Sequence, residues 1–198
     1  MTTEPQSMEP ATSEEVRELL SATGALRHGH FILSSGLHSP VYVQCALLLQ
    51  HPKHAERVGR TLARRLAPLR PQSVVAPALG GLIIGHEVAR ALRVPFRFTE
   101  RKDGEMKLRR SFALEDGERV VIIEDAVTTG KSTKETAAVV EAAGGEVVAV
   151  GSIVNRAGEN PFDVPYYGLV AIDAPVYDPA SGEPMPDWGE PEKPGSRS

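Results

Sequence analysis

Two adjacent carboxylates, Glu124 and Asp125, follow four aliphatic residues, and a turn rich in hydroxyl groups follows them at residues 126–132. Backbone N–H groups at the start of a helix bind anions, and Thr and Ser hydroxyls add donors for phosphate oxygens. Carboxylates repel phosphate, but they accept hydrogen bonds from sugar hydroxyls and steer hydrated Mg²⁺. The pattern therefore predicts a phosphate site beside a pair of acids suited to a sugar or a hydrated metal ion.

The tripeptide Gly130-Lys131-Ser132 also matches the last three residues of the Walker A motif of nucleotide triphosphatases. That motif needs a glycine five positions before Gly130, where this chain has Asp125. Because a carboxylate there repels phosphate, the sequence argues against a triphosphatase. A polar turn that only caps a helix is the simpler interpretation. However, four aliphatic residues followed by two acids and then by Thr-Thr-Gly form a much more specific pattern than a helix cap requires.

The elements that must position this segment alternate between helices and strands. Thr12 and Glu15 have capping-box spacing at the start of a first helix, and a second helix lies between Pro52 and Pro68. Strand patterns cover residues 73–77, 96–98, 120–123, 147–154 and 169–172, with helical spacing in 82–92 and from 132 onward. Such alternation predicts an α/β fold with a central, mostly parallel sheet flanked by helices, whose strand ends gather ligands.

The chain of 198 residues has 41% hydrophobic residues and a formal net charge of −4, which is typical of one compact domain. With a net negative charge, the chain has no overall positive field to attract nucleic acid or an anionic membrane, so a small-molecule partner is expected. The single cysteine, Cys45, lies in an apolar stretch and is interpreted as a buried core residue. Without a secretion signal or a long apolar run, the sequence predicts a reducing, cytoplasmic location.

Both ends of the chain are rich in Pro, Gly, Ser and Glu and poor in aliphatic residues. Such segments bury too little apolar surface to offset the entropy lost on ordering. We therefore expect a disordered tail at 1–12, a domain at 13–178 and a loose C-terminal tail at 179–198, although Trp188 is a residue that can dock on the domain. Mixed β-formers and turn residues at 30–44 predict short strands in a small subdomain.

The sequence VVIIEDAVTTGKST at residues 120–133 resembles the motif with which type I phosphoribosyltransferases bind phosphoribosyl pyrophosphate (PRPP). The segments GHFILSSGLHSPVYVQCALLL, APALGGLIIGHEVARAL, ERKDGEMKLRR and GSIVNR resemble, in the same order, segments of orotate phosphoribosyltransferases. This resemblance implies the type I phosphoribosyltransferase fold, with an N-terminal hood mainly from residues 13–50. It also implies Mg²⁺ bound mainly through PRPP and water, and a homodimer that shares an active-site loop between subunits.

The resemblance assigns roles to individual residues. The acid pair is expected to contact the ribose hydroxyls of PRPP, and Asp125 is the expected catalytic stabiliser of positive charge on the ribose. The residues implied in PRPP binding are Glu124, Asp125, Ala126, Val127, Thr128, Thr129, Gly130, Lys131, Ser132, Arg101 and Lys102.

Residues 100–110 contain five basic side chains in a stretch predicted to be a charged loop. Such a run is commonly only solvated surface, but the resemblance implies a mobile loop that closes over PRPP through Arg101 and Lys102. The lysine and histidine that usually follow are replaced by Glu105 and Lys107. Lys107 is therefore the catalytic residue expected to supply positive charge to the leaving pyrophosphate.

Thr128, Arg156 and Tyr42 are the contacts that the resemblance implies for orotate. A guanidinium pairs with a carboxylate through two hydrogen bonds, which suits Arg156 to the carboxylate of orotate. The alternative for Arg156 is a surface ion pair with Glu159 or Asp163. The alternative for Tyr42 is packing in the core.

A second glycine turn at residues 78–81 leads into a helix and permits close backbone approach by pyrophosphate. Many family members have an aromatic residue and a lysine where this chain has Leu79 and Gly80. Only backbone donors are therefore expected from this turn.

The implied reaction is displacement of pyrophosphate from C1′ of PRPP by N1 of orotate, which gives orotidine 5′-phosphate in pyrimidine biosynthesis. Two alternatives remain open at this point. A transferase of the same fold for another base, such as a purine or uracil, shares the motif at 120–133 but has no need of Arg156. A regulator that senses PRPP or nucleotides without catalysis is expected to bring a DNA-binding module or a basic face.

Overall fold

A computed structural model of the chain describes residues 9–33, 35–181 and 185–194. The helices are α1 (Ser13–Ala22), α2 (Ala46–Leu49), α3 (Pro52–Leu66), α4 (Gly81–Leu92) and α5 (Lys131–Ala142). The strands are β1 (Leu26–Ile32), β2 (His38–Val43), β3 (Ser73–Pro77), β4 (Phe96–Lys102), β5 (Glu105–Leu108), β6 (Arg119–Val127), β7 (Glu146–Asn155) and β8 (Tyr166–Ala171). The capping box predicted from Thr12 and Glu15 is present at the start of α1.

Six strands form the central sheet in the order β5-β4-β3-β6-β7-β8. All neighbours pair in parallel except β4 and β5, which are antiparallel, so the predicted mostly parallel sheet is confirmed. The chain leaves β3 through α4 to β4 on one side and later reaches β6 on the other side of β3. This reversal opens a crevice between the carboxyl ends of β3 and β6, where open α/β sheets bind ligands.

Two apolar cores hold helices against the two faces of the sheet, because alternate side chains of a strand point to opposite faces. The larger core joins α1, α3 and α4 to one face and contains Ile123. The smaller core places Val140 of α5 against Ile122 on the other face. The same alternation directs the next two residues, Glu124 and Asp125, toward different layers.

β1 and β2 form a separate antiparallel hairpin, the hood. The C-terminal segment lies along β1, where the amide of Ile32 donates to the carbonyl of Glu192 and the amide of Glu192 donates to the carbonyl of His30, both at 2.8 Å. Arg27 of β1 contacts both carboxylate oxygens of Glu192, at 3.0 and 2.6 Å. A segment distant in sequence thus extends the hood.

Residues 185–194 therefore differ from the predicted loose tail. Main-chain pairing and an ion pair replace the apolar burial that this segment lacks, and Trp188 adds edge-on ring contacts with His30 and Tyr177.

Residues 1–8 of the predicted N-terminal tail lie outside the described residues. Just after them, Ala11 is buried, and its amide donates to Oγ1 of Thr61 at 2.8 Å.

β4 and β5 form a hairpin at the sheet edge, where the sequence pattern predicted a charged loop. Asp103 and Gly104 make its two-residue turn with φ values of 54° and 85°, and Asp-Gly is a preferred pair for such turns. Met106 and Leu108 are half-buried, while Glu105 and Lys107 point to solvent. This alternation of burial, which the dense charge of the segment obscures, is typical of a strand.

Candidate active site

Glu124 and Asp125 lie at the carboxyl end of β6, beside the crevice between β3 and β6. Glu124 is only 8% exposed, and Oδ1 of Asp125 accepts a hydrogen bond from the amide of Ala126 at 2.8 Å. Burial, together with the charge of Asp125, raises the pKa of Glu124 to about 9. Burial also raises the pKa of Asp125. Burial thus disfavours the charged forms of both carboxyl groups, whereas a nearby cation or hydroxyl donor stabilises them. The pair is therefore suited to bind a cation or the hydroxyls of a sugar.

The hydroxyl-rich turn joins β6 to α5. Ala126 and Val127, predicted as part of the turn, instead belong to β6 and pair with β7. The exposed part begins at Thr128, and the turn borders a cavity of about 240 Å³ that Glu124 also lines. Since the first amide groups of a helix have no acceptor within it, the start of α5 offers donors to this cavity. The turn thus presents hydroxyls and amides beside the acids.

Gly130 makes the transition into α5 with a φ of 72°. A Cβ atom on this residue would lie 2.8 Å from Cε1 of Phe162, on the loop between β7 and β8. Both the backbone conformation and the close packing therefore require glycine. The sequence pattern around Gly130 gives no indication of this contact, because Phe162 lies far away in the chain.

We expect Gly130→Ala to lower the free energy of unfolding more than Gly117→Ala. Gly117 has nearly the same φ, 71°, but no atom lies within 4 Å of its Cβ position. Gly117→Ala should therefore show only the conformational penalty, about 1 kcal/mol, whereas Gly130→Ala adds a packing penalty and should lose about 2–4 kcal/mol in all. Urea unfolding of both variants measures the difference, and equal losses would contradict the packing argument.

The turn between β3 and α4 approaches the acid pair across the crevice. A Cβ atom on Gly80 would lie 2.7 Å from Oδ1 of Asp125, so a side chain there would displace the carboxylate. Leu79 is 83% exposed.

Cys45 is buried as predicted, with Sγ 3.7 Å from the carbonyl oxygen of Asp125. Burial raises the pKa of this thiol well above its ordinary value, which makes it a poor nucleophile.

Arg156 follows β7 at the same edge of the sheet, and its amide donates to the carbonyl of Val127 at 2.8 Å. Its Nε atom is buried without a hydrogen-bond partner among the described residues. Burial lowers the pKa of Arg156. Among the ion pairs of the described residues there is none between Arg156 and Glu159 or Asp163, so the alternative ion pair is not formed within this part of the chain. A buried donor without an acceptor destabilises the protein, and this geometry favours an anionic partner for Arg156.

The cations of the β4–β5 hairpin do not contact the acid pair or the turn. Arg101 pairs with Glu135 of α5, and Nζ of Lys107 lies 2.9 Å from Oε2 of Glu105. Lys102 is exposed. Contact of these side chains with PRPP stays a prediction.

Tyr42 lies in the hood, with its ring centroid 5.6 Å from that of Phe31. This contact corresponds to the packing alternative, and stacking of Tyr42 on a base stays a prediction. Sequence analysis missed a hydrogen bond between the hydroxyls of Ser152 on β7 and Tyr166 on β8, which is 2.6 Å long. Ser152 stands in register with Glu124, so the pair supports the buried side of the acid site.

Residues 46–173 match the family described as phosphoribosyl transferase domain. The matched stretch contains β3, the acid pair, the hydroxyl-rich turn and Arg156. The fold and the site thus define the class of the protein: it is a phosphoribosyltransferase.

Curated relatives narrow the class. The chain is 48% identical over 184 residues to the orotate phosphoribosyltransferase of Thermotoga maritima, which covers 92% of this chain and 98% of the relative. It is 45% identical over 186 residues to the orotate phosphoribosyltransferase of Desulforamulus reducens, which covers 93% and 97% of the two chains. The chain belongs to the orotate phosphoribosyltransferase family.

Solved structures confirm the predicted type I fold. Orotate phosphoribosyltransferase from Aeropyrum pernix superposes with a TM-score of 0.67 at 25% identity, over 79% of this chain and 93% of that one. The Mycobacterium tuberculosis enzyme in complex with inorganic phosphate has a TM-score of 0.63 at 27% identity, over 80% and 95% of the chains. In the described part of this chain, each helix is too short or too polar to cross a membrane.

Proposed function

We infer that this protein transfers the 5-phosphoribosyl group of PRPP to orotate, with orotidine 5′-phosphate and pyrophosphate as products, in pyrimidine biosynthesis. The observation that carries this inference is the position of Arg156, a half-buried cation tied through its backbone to the strand that bears the acid pair. Orotate differs from uracil and the purines in its carboxylate, which a guanidinium binds through two hydrogen bonds. A site for an uncharged base has no use for this cation.

In this proposal PRPP lies across the crevice between β3 and β6. The 5′-phosphate binds residues 128–132, where hydroxyls and helix-start amides supply donors. The ribose hydroxyls donate to Glu124 and Asp125. Orotate lies between Arg156 and Thr128, with Tyr42 of the hood covering its ring.

N1 of orotate attacks C1′ while the bond from C1′ to pyrophosphate breaks, so pyrophosphate leaves with the electron pair and the configuration at C1′ inverts. The ribose then gains positive charge and pyrophosphate gains negative charge, and catalysis consists of stabilising both. Asp125 stabilises the ribose cation, and Lys107, with Arg101 and Lys102, stabilises pyrophosphate. Orotate is already an anion, so the site needs no strong general base.

Mg²⁺ is the proposed cofactor. In the described residues, no three His, Cys, Asp or Glu side chains are grouped to hold a metal ion, while Glu124 and Asp125 offer the oxygen ligands that hydrated Mg²⁺ prefers. Binding of the ion mainly through PRPP and water, with the acid pair acting through water, stays a prediction. When bound, the ion neutralises charge on pyrophosphate.

We also propose a cytoplasmic homodimer. The apolar side chains of Leu79 and Ile83, 83% and 47% exposed, lie next to the crevice, as expected of a surface that a second subunit covers. Sharing of the β4–β5 hairpin between subunits, and the lack of nucleic-acid or membrane partners, remain predictions.

Incubation with PRPP, Mg²⁺ and orotate should lower the orotate absorbance and release pyrophosphate. Uracil and adenine should react with a kcat/KM lower by roughly 100-fold or more, because they leave the half-buried guanidinium of Arg156 without an anionic partner. Equal turnover of uracil would support the alternative of another base. PRPP binding without any turnover would support the non-catalytic regulator.

A further inference from the structure

Four of the five basic residues at positions 101–110 form ion pairs with three carboxylates. The pairs are Arg101 with Glu135, Lys107 with Glu105 at 2.9 Å, and Arg109 and Arg110 with Glu100 at 3.4 and 2.8 Å. Two of these carboxylates belong to the hairpin itself. Glu135 is the one that lies outside it, on the helix that follows the phosphate turn.

Glu135 attaches the hairpin to α5 close to the proposed phosphate site. It stands four positions after Lys131, the first residue of α5, and contacts Nη2 of Arg101. Nη1 of Arg101 donates to the carbonyl of Gly104 at 2.6 Å, so both terminal nitrogens of the guanidinium are engaged. The neighbouring hydroxyls of Thr136 and Thr99, 2.8 Å apart, join the same helix to the base of the hairpin.

We propose that Glu135 is a positioning residue that competes with the phosphates of PRPP for Arg101. This inference rests on the proposed function, in which Arg101 binds PRPP. The side chains of Arg101 and Glu135 are 43% and 29% exposed, and ion pairs exposed to this degree are weak. The contact therefore orients the hairpin without locking it, and Arg101 transfers from one carboxylate to phosphate oxygens of higher charge when PRPP binds.

Glu135→Gln keeps the shape of the side chain and removes its charge. We expect the KM for PRPP to fall about threefold, because Arg101 no longer has a charged competitor. The kcat and the KM for orotate should stay within about twofold of wild type, since the exchange precedes chemistry. Glu141→Gln is the matched control, because Glu141 is an exposed glutamate of the same helix. It should leave the KM for PRPP unchanged.

A double-mutant cycle separates this mechanism from a general effect of charge. In an Arg101→Gln background, Glu135→Gln should no longer change the KM for PRPP. The proposal is overturned if Glu135→Gln leaves that KM unchanged or raises it, or if the decrease persists without Arg101.

Trypsin cleavage after Arg101 and Lys102 supplies a readout that does not depend on turnover. Glu135→Gln should be cleaved faster than Glu141→Gln and wild type, because release of Arg101 frees the hairpin from α5. Equal cleavage rates would overturn the proposed contact even in a protein that transfers orotate normally. Absence of turnover in wild type, with faster cleavage of Glu135→Gln, would instead contradict only the proposed function.

Discussion

Replacement of Arg156 by alanine is expected to raise the KM for orotate by roughly 30- to 150-fold, which corresponds to about 2–3 kcal/mol of lost binding. The guanidinium is partly desolvated by the protein, and its Nε atom has no partner among the described residues. Pairing with the orotate carboxylate would satisfy this donor, whereas an uncharged base would not. The KM for PRPP should change little, because residues 124–132 hold PRPP in the proposed complex.

Two further variants test the geometry of this contact. Arg156→Lys keeps the charge but loses the planar pair of donors, so it should recover only part of the affinity for orotate. Arg64→Ala removes an exposed arginine on α3 and should leave orotate kinetics as in wild type. Steady-state kinetics with orotate and uracil give the result. If Arg156→Ala keeps the wild-type preference for orotate over uracil, Arg156 does not recognise the carboxylate.

Asp125→Asn should lower kcat about 100-fold or more, the usual loss when one transition-state charge stabiliser is removed. The substitution is nearly isosteric, and the amide oxygen can still accept the hydrogen bond from Ala126, which Oδ1 accepts at 2.8 Å. What is lost is the negative charge that faces the developing ribose cation. The KM for PRPP should therefore change less than kcat.

The comparison with Glu124→Gln makes the test specific. Because the pKa of Glu124 is raised to about 9, this residue is uncharged at neutral pH in the free protein, and an amide there should lower kcat less than Asp125→Asn. Asp116→Asn, on an exposed turn before β6, controls for loss of one negative charge. Single-turnover and steady-state rates measure the effects. A kcat for Asp125→Asn within about threefold of wild type would remove Asp125 from catalysis.

Sequence patterns confined to neighbouring residues predicted their structures well. The capping box joins Thr12 and Glu15, which are three residues apart, and a contiguous apolar run marks the strand before the acid pair. Both elements are present. The β4–β5 hairpin was missed, because five basic residues hid the alternation of Met106 and Leu108 and the Asp-Gly turn. A strand at a sheet edge needs only one partner and one apolar face, so its sequence signal is weak.

The family was readable from sequence, and the roles proposed for residues 124–132 could be predicted because the acids, hydroxyls and glycine of that segment are contiguous in the chain. Other contacts join residues far apart in sequence: Arg101 meets Glu135 at a separation of 34 residues, and in the hood Arg27 meets Glu192 at a separation of 165. Such contacts depend on how every intervening element packs, and neither partner carries a local signal of the other. Tertiary structure alone therefore decided that Nε of Arg156 is buried without a hydrogen-bond partner among the described residues, that Gly80 approaches Asp125, and that Glu135 of α5 contacts the hairpin.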